Sequence, residues 1–212
     1  MGDSFDRIVA GVKQFQRDVF PTKAELFQRL GNGQQPKVLF LTCSDSRINP
    51  NLITQSDPGE LFICRNIGNV VPPHGTADGS VATVMEYAID VLKIEEIVIC
   101  GHSGCGAMKS LMDPTDDHIV PRVTEWLRFA ASAQRLATTT RPGAVDWNAP
   151  ENLEAVTKLN VIAQLANLRT YPAVAAHLHT GTLRIHGWYY DIRNGTVQTH
   201  DGAPNGEFVP LV

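Results

Sequence analysis

Two apolar runs, 37–42 and 96–100, each give way to a polar, Ser- or Gly-rich turn that carries potential metal ligands: Cys43 after the first, His102 and Cys105 after the second. Fifty-nine positions separate Cys43 from His102, too many for the local loop of a zinc finger. If these side chains meet, the fold itself must bring two strand ends together. That is the arrangement of open α/β sheets, in which ligands bind outside the carboxyl ends of the strands. Two thiols and one imidazole suit a borderline-soft, four-coordinate ion such as zinc. Three protein ligands leave a position for water, which separates a catalytic site from a closed structural one. Free cysteine is also among the residue types most often buried without chemistry. The placement of both cysteines where apolar runs end favours the metal.

At 212 residues the chain is long enough for one well-buried domain and short for two. Its net charge of -4 and the absence of a basic run argue against nucleic acid and anionic membranes as partners. No apolar window reaches the length of a membrane span, and residues 1–10 lack a signal-peptide pattern. The expectation is a cytoplasmic protein whose four cysteines stay reduced.

Phe5, Ile8, Val9, Val12, Phe15 and Val19 recur at helical spacing, so the chain opens with an amphipathic helix that ends before Pro21. A short helix over 23–30 follows, then a central strand over 37–42 with Cys43 at its tip. A strand over 60–65, a helix over 78–92 and a third strand over 96–100 complete two βα repeats. Helical segments lie near 120–137 and 151–168, and Pro172 starts another. Asn194-Gly195 marks a hairpin between runs 182–191 and 196–200. The fold class is α/β: a mostly parallel central sheet flanked by helices, with an antiparallel edge near the C-terminus. It forms a single domain with an N-terminal arm (1–31), a zinc-site core (36–110) and C-terminal helices and edge strands (111–212).

Cys43-Ser44-Asp45-Ser46-Arg47, Arg65-Asn66 and Gly101-His102-Ser103-Gly104-Cys105-Gly106, in that order, resemble the motifs of the β-class carbonic anhydrases. The resemblance runs from the first helix to the last strands. It implies one zinc ion per chain on Cys43, His102 and Cys105, and reversible hydration of carbon dioxide to bicarbonate by attack of zinc-bound hydroxide. Asp45 and Arg47 become a catalytic pair. Held by Arg47, Asp45 stays off the metal and orients the hydroxide; released, it becomes a fourth ligand and closes the site. Gln34, Phe62 and Tyr87 match pocket positions of the plant-type branch. The regulated branch has Trp where this chain has Phe40, which argues against a regulatory bicarbonate site. The wording also resembles bacterial members encoded beside cyanase.

Carbon dioxide is apolar, so its pocket needs apolar walls, for which Phe62, Ile67 and Tyr87 are candidates. Gln34 is placed to bond a substrate oxygen, and Gly106 leaves room beside Cys105 for the anionic product. Two thiolate ligands offset the charge of the ion, so turnover is expected to rise toward alkaline pH. Family members are dimers or multiples of dimers, and the N-terminal helix is expected to pack on a partner subunit. Three alternatives stay open: a hydrolase acting on an analogue such as carbon disulfide, a non-catalytic zinc protein closed by Asp45, and a thiol redox protein. The last is disfavoured by the lack of a Cys-x-x-Cys pair. Cys64 and Cys100 read as core residues.

Overall fold

A computed structural model describes residues 3–76, 79–113, 120–200 and 206–212. The chain divides into two compact units, Met1–Gln35 and Pro36–Val212.

In the first unit, α1 (Asp3–Gln14) passes into a wider π-helical turn at Phe15–Val19 and a tight 3-10 turn at Phe20–Lys23 before α2 (Ala24–Leu30). The helical path was expected to stop before Pro21. It continues because Pro21 stands in the first turn of the 3-10 segment, where a missing N–H costs nothing. Phe15, Phe20 and Phe27 pack their rings together, yet no residue of α1 or α2 is buried. Phe5, Ile8 and Val12 along α1 are more than half exposed.

The second unit is built on β1 (Val38–Cys43), β2 (Leu61–Asn66), β3 (Glu96–His102), β4 (Arg184–Tyr190), β5 (Val197–His200) and β6 (Phe208–Pro210). Among the described residues these form one sheet in the order β2-β1-β3-β4-β5-β6. The first three pairings are parallel and the last two antiparallel, as the sequence led us to expect. β1 is buried on both faces from Leu39 onward, which is why its sequence reads as an unbroken apolar run rather than an alternating one. A return hydrogen bond from the Gly195 N–H to the Asp191 carbonyl closes the β4–β5 turn at Asn194-Gly195. β6 was not foreseen: a three-residue edge is too short to show a period of two.

The helices between the strands are α3 (Pro50–Thr54), α4 (Gly79–Glu86), α5 (Gly106–Met112), α6 (Pro121–Leu127), α7 (Ala131–Thr140), α8 (Pro150–Leu168) and α9 (Pro172–His179). The helix expected over 78–92 relaxes into a π-helical turn at Tyr87–Val91, and that expected over 120–137 breaks at a 3-10 turn, Arg128–Ala130. One face of β1 and β3, with Leu39, Leu41, Ile97 and Ile99, packs on Met85 of α4, Val161 and Leu168 of α8, and Val174 of α9.

The approach of α8 to the sheet depends on two glycines. A Cβ at Gly101 would lie 2.9 Å from Thr157 and Val161 methyls, and one at Gly187 would lie 2.8 Å from Leu165 and Val161 methyls. Replacing Gly187 by Val therefore overpacks the core and is expected to cost about 1–3 kcal/mol. Urea unfolding at neutral pH should show a lowered midpoint; an unchanged midpoint would mean that α8 can retreat freely.

Candidate metal centre

Parallel pairing of β1 with β3 brings two carboxyl strand ends side by side, Cys43 on one and His102 on the other. After His102 the chain turns through Ser103-Gly104, and Cys105 takes the N-cap position of α5. The ligand atoms of Cys43, His102 and Cys105 all lie within 4.8 Å of one another, and all three residues are buried. Cys43 and Cys105 also belong to an apolar cluster with Val70, Met108, Leu127 and Val156, so the site is walled by hydrocarbon on that side.

The donor set of the cluster fits a cation site. His102 Nδ1 lies 3.0 Å from the Ser103 carbonyl oxygen, which can only accept, so Nδ1 donates there and Nε2 is the nitrogen left for a ligand. That Nε2 is buried and has no hydrogen-bond partner among the described residues. The adjacent Cys105 thiol pulls Cys43 down to about 4, against the cost of burial, and the N–H groups of Gly68 and Asp45 act the same way. The same pairing, with burial, holds Cys105 well above its ordinary value. The adjacent sulfurs thus push one another's acidity in opposite directions, and a metal ion would bind both as thiolates with release of protons. By contrast, burial pushes Cys64 up to about 11 and Cys100 to about 12, so both remain neutral thiols. Cys100 is fully buried, as expected of a core residue, whereas Cys64 is only partly buried. Two sulfurs and a free imidazole nitrogen fit a four-coordinate, borderline-soft divalent ion.

Asp45 stands next to the cluster, its Oδ2 3.9 Å from His102 Nε2. Its carboxylate is held in a fork. Arg47 donates from Nε to Oδ1 at 2.9 Å and from Nη2 to Oδ2 at 2.7 Å, and the Arg47 backbone N–H adds a third bond at 3.0 Å. The guanidinium, aided by that N–H, keeps the Asp45 carboxyl far below the usual carboxylate range despite partial burial. Arg47 Nη2 also reaches the Gly104 carbonyl at 3.1 Å, tying the β1 turn to the β3 turn. Arg65 does similar work from β2, donating to the Cys43 carbonyl at 3.1 Å and the Asp45 carbonyl at 2.6 Å.

The other sequence candidates are less tightly grouped. Ile67 is partly exposed on the wall of a cavity of about 390 Å³ that is also lined by Ser44, Asn66, Arg122 and Trp126. Phe62 and Tyr87 pack against one another with ring centroids 5.9 Å apart. Gly106 opens α5, and a Cβ there would meet nothing within 4 Å. Gln34 lies in the irregular segment after α2, in the first unit. The sequence reading missed the groups that fix the turn after β2: the Gly68 N–H 3.4 Å from the Cys43 sulfur, and Trp126 Nε1 donating to the Ile67 carbonyl at 2.8 Å.

A sequence model of the carbonic anhydrase family matches residues 38–197, which include every residue of the cluster and of the Asp45–Arg47 pair. A carbonic anhydrase of Pseudomonas aeruginosa is 45% identical over 204 residues, covering 96% of this chain and 90% of that one. Among solved structures, the β-carbonic anhydrase CcaA superimposes with a TM-score of 0.93 at 40% identity, over 98% of this chain and 92% of the other. One of two tetrameric β-carbonic anhydrases from Sordaria macrospora gives 0.74 at 30% identity, over 96% and 95%. With a family match spanning both strand ends and relatives covering nearly the whole chain, this protein belongs to the β-carbonic anhydrase family.

Proposed function

We propose that this chain catalyses the reversible hydration of carbon dioxide to bicarbonate and a proton, with one zinc ion held by Cys43, His102 and Cys105. The observation that carries the reading is a buried trio of donors, its imidazole nitrogen unpaired, beside a carboxylate turned onto an arginine. When bound, zinc supplies the Lewis acidity that makes hydroxide available near neutral pH.

The chain's own residues then orient and exclude. With both oxygens engaged by Arg47, Asp45 is kept from entering the coordination sphere as a fourth ligand. Its Oδ2 retains acceptor capacity toward the cluster and takes a hydrogen bond from the attacking oxygen, which turns that oxygen's lone pair to the substrate. If the fork opens, the Asp45 carboxylate, whose Oδ2 lies 3.9 Å from His102 Nε2, can close the site. Ile67, Phe62 and Tyr87 serve as apolar walls for carbon dioxide, Gln34 bonds an oxygen of substrate or product, and Gly106 leaves space beside Cys105. Support for Ile67 is its place on a cavity wall, and for Gly106 the open space before it; Gln34, Phe62 and Tyr87 rest on the motif resemblance.

The exposed apolar stripe of α1 supports self-association as a dimer or tetramer, and a structural relative is tetrameric. No helix among the described residues is long and apolar enough to cross a membrane. Four unpaired cysteines support a cytoplasmic setting. Phe40 stands where the branch gated by bicarbonate has Trp, and that residue, buried edge-on against Trp188, is the ground for the plant-type reading.

Stopped-flow assays of the purified protein with carbon dioxide and, separately, carbon disulfide test the substrate. Rapid acidification with carbon dioxide and little sulfide from carbon disulfide is expected. Sulfide release without hydration of carbon dioxide would contradict the reading.

A further inference from the structure

α8 carries two fully buried carboxamides, Asn160 and Gln164, one turn apart among mostly apolar buried side chains. Burying an amide is costly unless all its groups are paired, so such residues call for a reason. Their hydrogen bonds run in one direction. The Val71 N–H donates to Gln164 Oε1 at 2.8 Å, which forces the other end of that amide to be the donor. Gln164 Nε2 donates to Asn160 Oδ1 at 2.8 Å, and Asn160 Nδ2 donates to the Gly68 carbonyl at 2.9 Å. Gly68 in turn presents its N–H to the Cys43 sulfur at 3.4 Å. Its backbone has φ of +77°, and a Cβ there would press on Ala107 at 3.0 Å and Met108 at 3.2 Å, both on α5, the helix that Cys105 caps.

We infer that Asn160 and Gln164 are positioning residues of the metal centre: they lock Gly68 so that its N–H stays on the Cys43 sulfur and fixes that ligand's direction and electron donation. The inference rests on the assignment of Cys43 as a ligand made above. Neither side chain touches substrate. Both act through the Gly68 backbone, and the fixed polarity of the amide string makes the arrangement sensitive to isosteric change.

Asn160→Asp keeps the size of the side chain, but it places a carboxylate oxygen against the Gly68 carbonyl and so breaks the string at that bond. Asn160→Ser removes the reach to Gly68 without adding charge, and it carries the test if the aspartate variant does not fold. Leu168→Ala is the control: it removes a fully buried apolar side chain from the same helix and takes away no hydrogen bond of the string. Each full-length protein is stripped of metal, titrated with cobalt(II) and with zinc against a chromophoric chelator, and melted in the metal-free state. The expected result is a shifted thiolate-to-cobalt charge-transfer band and zinc binding weakened by about tenfold or more in the Asn160 variants. The control should lose thermal stability and keep the wild-type band. Asn160 variants with wild-type spectrum and affinity, or changes that merely follow stability as in the control, would overturn the inference. Wild-type protein that takes up neither metal would overturn the ligand assignment itself.

Discussion

Replacing Arg47 by Ala is expected to lower carbon dioxide hydration by about 100-fold without loss of bound zinc, a loss of the size seen when the partner that orients a metal-site group is removed. Arg47 is none of the three donors, so metal content should not follow activity. What the variant loses is the fork of two side-chain hydrogen bonds on Asp45, leaving that carboxylate only the backbone N–H of residue 47 and free to turn toward the cluster, where its Oδ2 already lies 3.9 Å from His102 Nε2. Arg47→Lys should fall between wild type and Arg47→Ala, because a lysine supplies charge without the planar fork. Zinc analysis and initial rates on the same preparations check both. Activity within about twofold of wild type in Arg47→Ala would end the role given to the pair.

Stripping the metal with a chelator should lower the thermal unfolding midpoint by about 8–16 °C, and adding zinc back should restore it. The physical basis is the discomfort of the empty cluster. His102 Nε2 is buried without a partner among the described residues, which by itself costs about 1–3 kcal/mol. A ligand present at about a thousand times its dissociation constant adds about 4 kcal/mol to stability, and a domain of this size moves by about 2–4 °C per kcal/mol. Differential scanning fluorimetry of metal-free and reloaded protein gives the number. Identical midpoints would mean that no ion binds preferentially to the folded cluster.

Much of the site was legible in the sequence because its ligands sit at the ends of unbroken apolar runs. Cys43 ends a strand buried on both faces, and His102 and Cys105 flank a short turn, so the α/β pattern alone puts all three at one end of a sheet. What stayed hidden lacks a period or acts through the backbone. β6 is three residues long, and the breaks at 87–91 and 128–130 are local changes of helical pitch with no Gly or Pro to announce them. The Gly68 N–H offers no side chain to notice. Asn160 and Gln164 did leave a trace, amides four residues apart inside a helix whose neighbours are apolar. Polar residues at that spacing are usually assigned to a solvated face, and only packing on both sides of α8 reveals them as buried. Arg65 reads equally well as a strand-edge charge until its bonds to the Cys43 and Asp45 carbonyls are seen.

The most direct measurement is carbon dioxide hydration by stopped flow with zinc quantified on the same sample, for wild type beside Cys43→Ala. One zinc per chain with fast turnover in wild type, and loss of both in the variant while its circular dichroism stays native, is the predicted result. Turnover that survives in Cys43→Ala, or stoichiometric zinc in wild type with no hydration, would contradict the assignment of this cluster as the seat of catalysis.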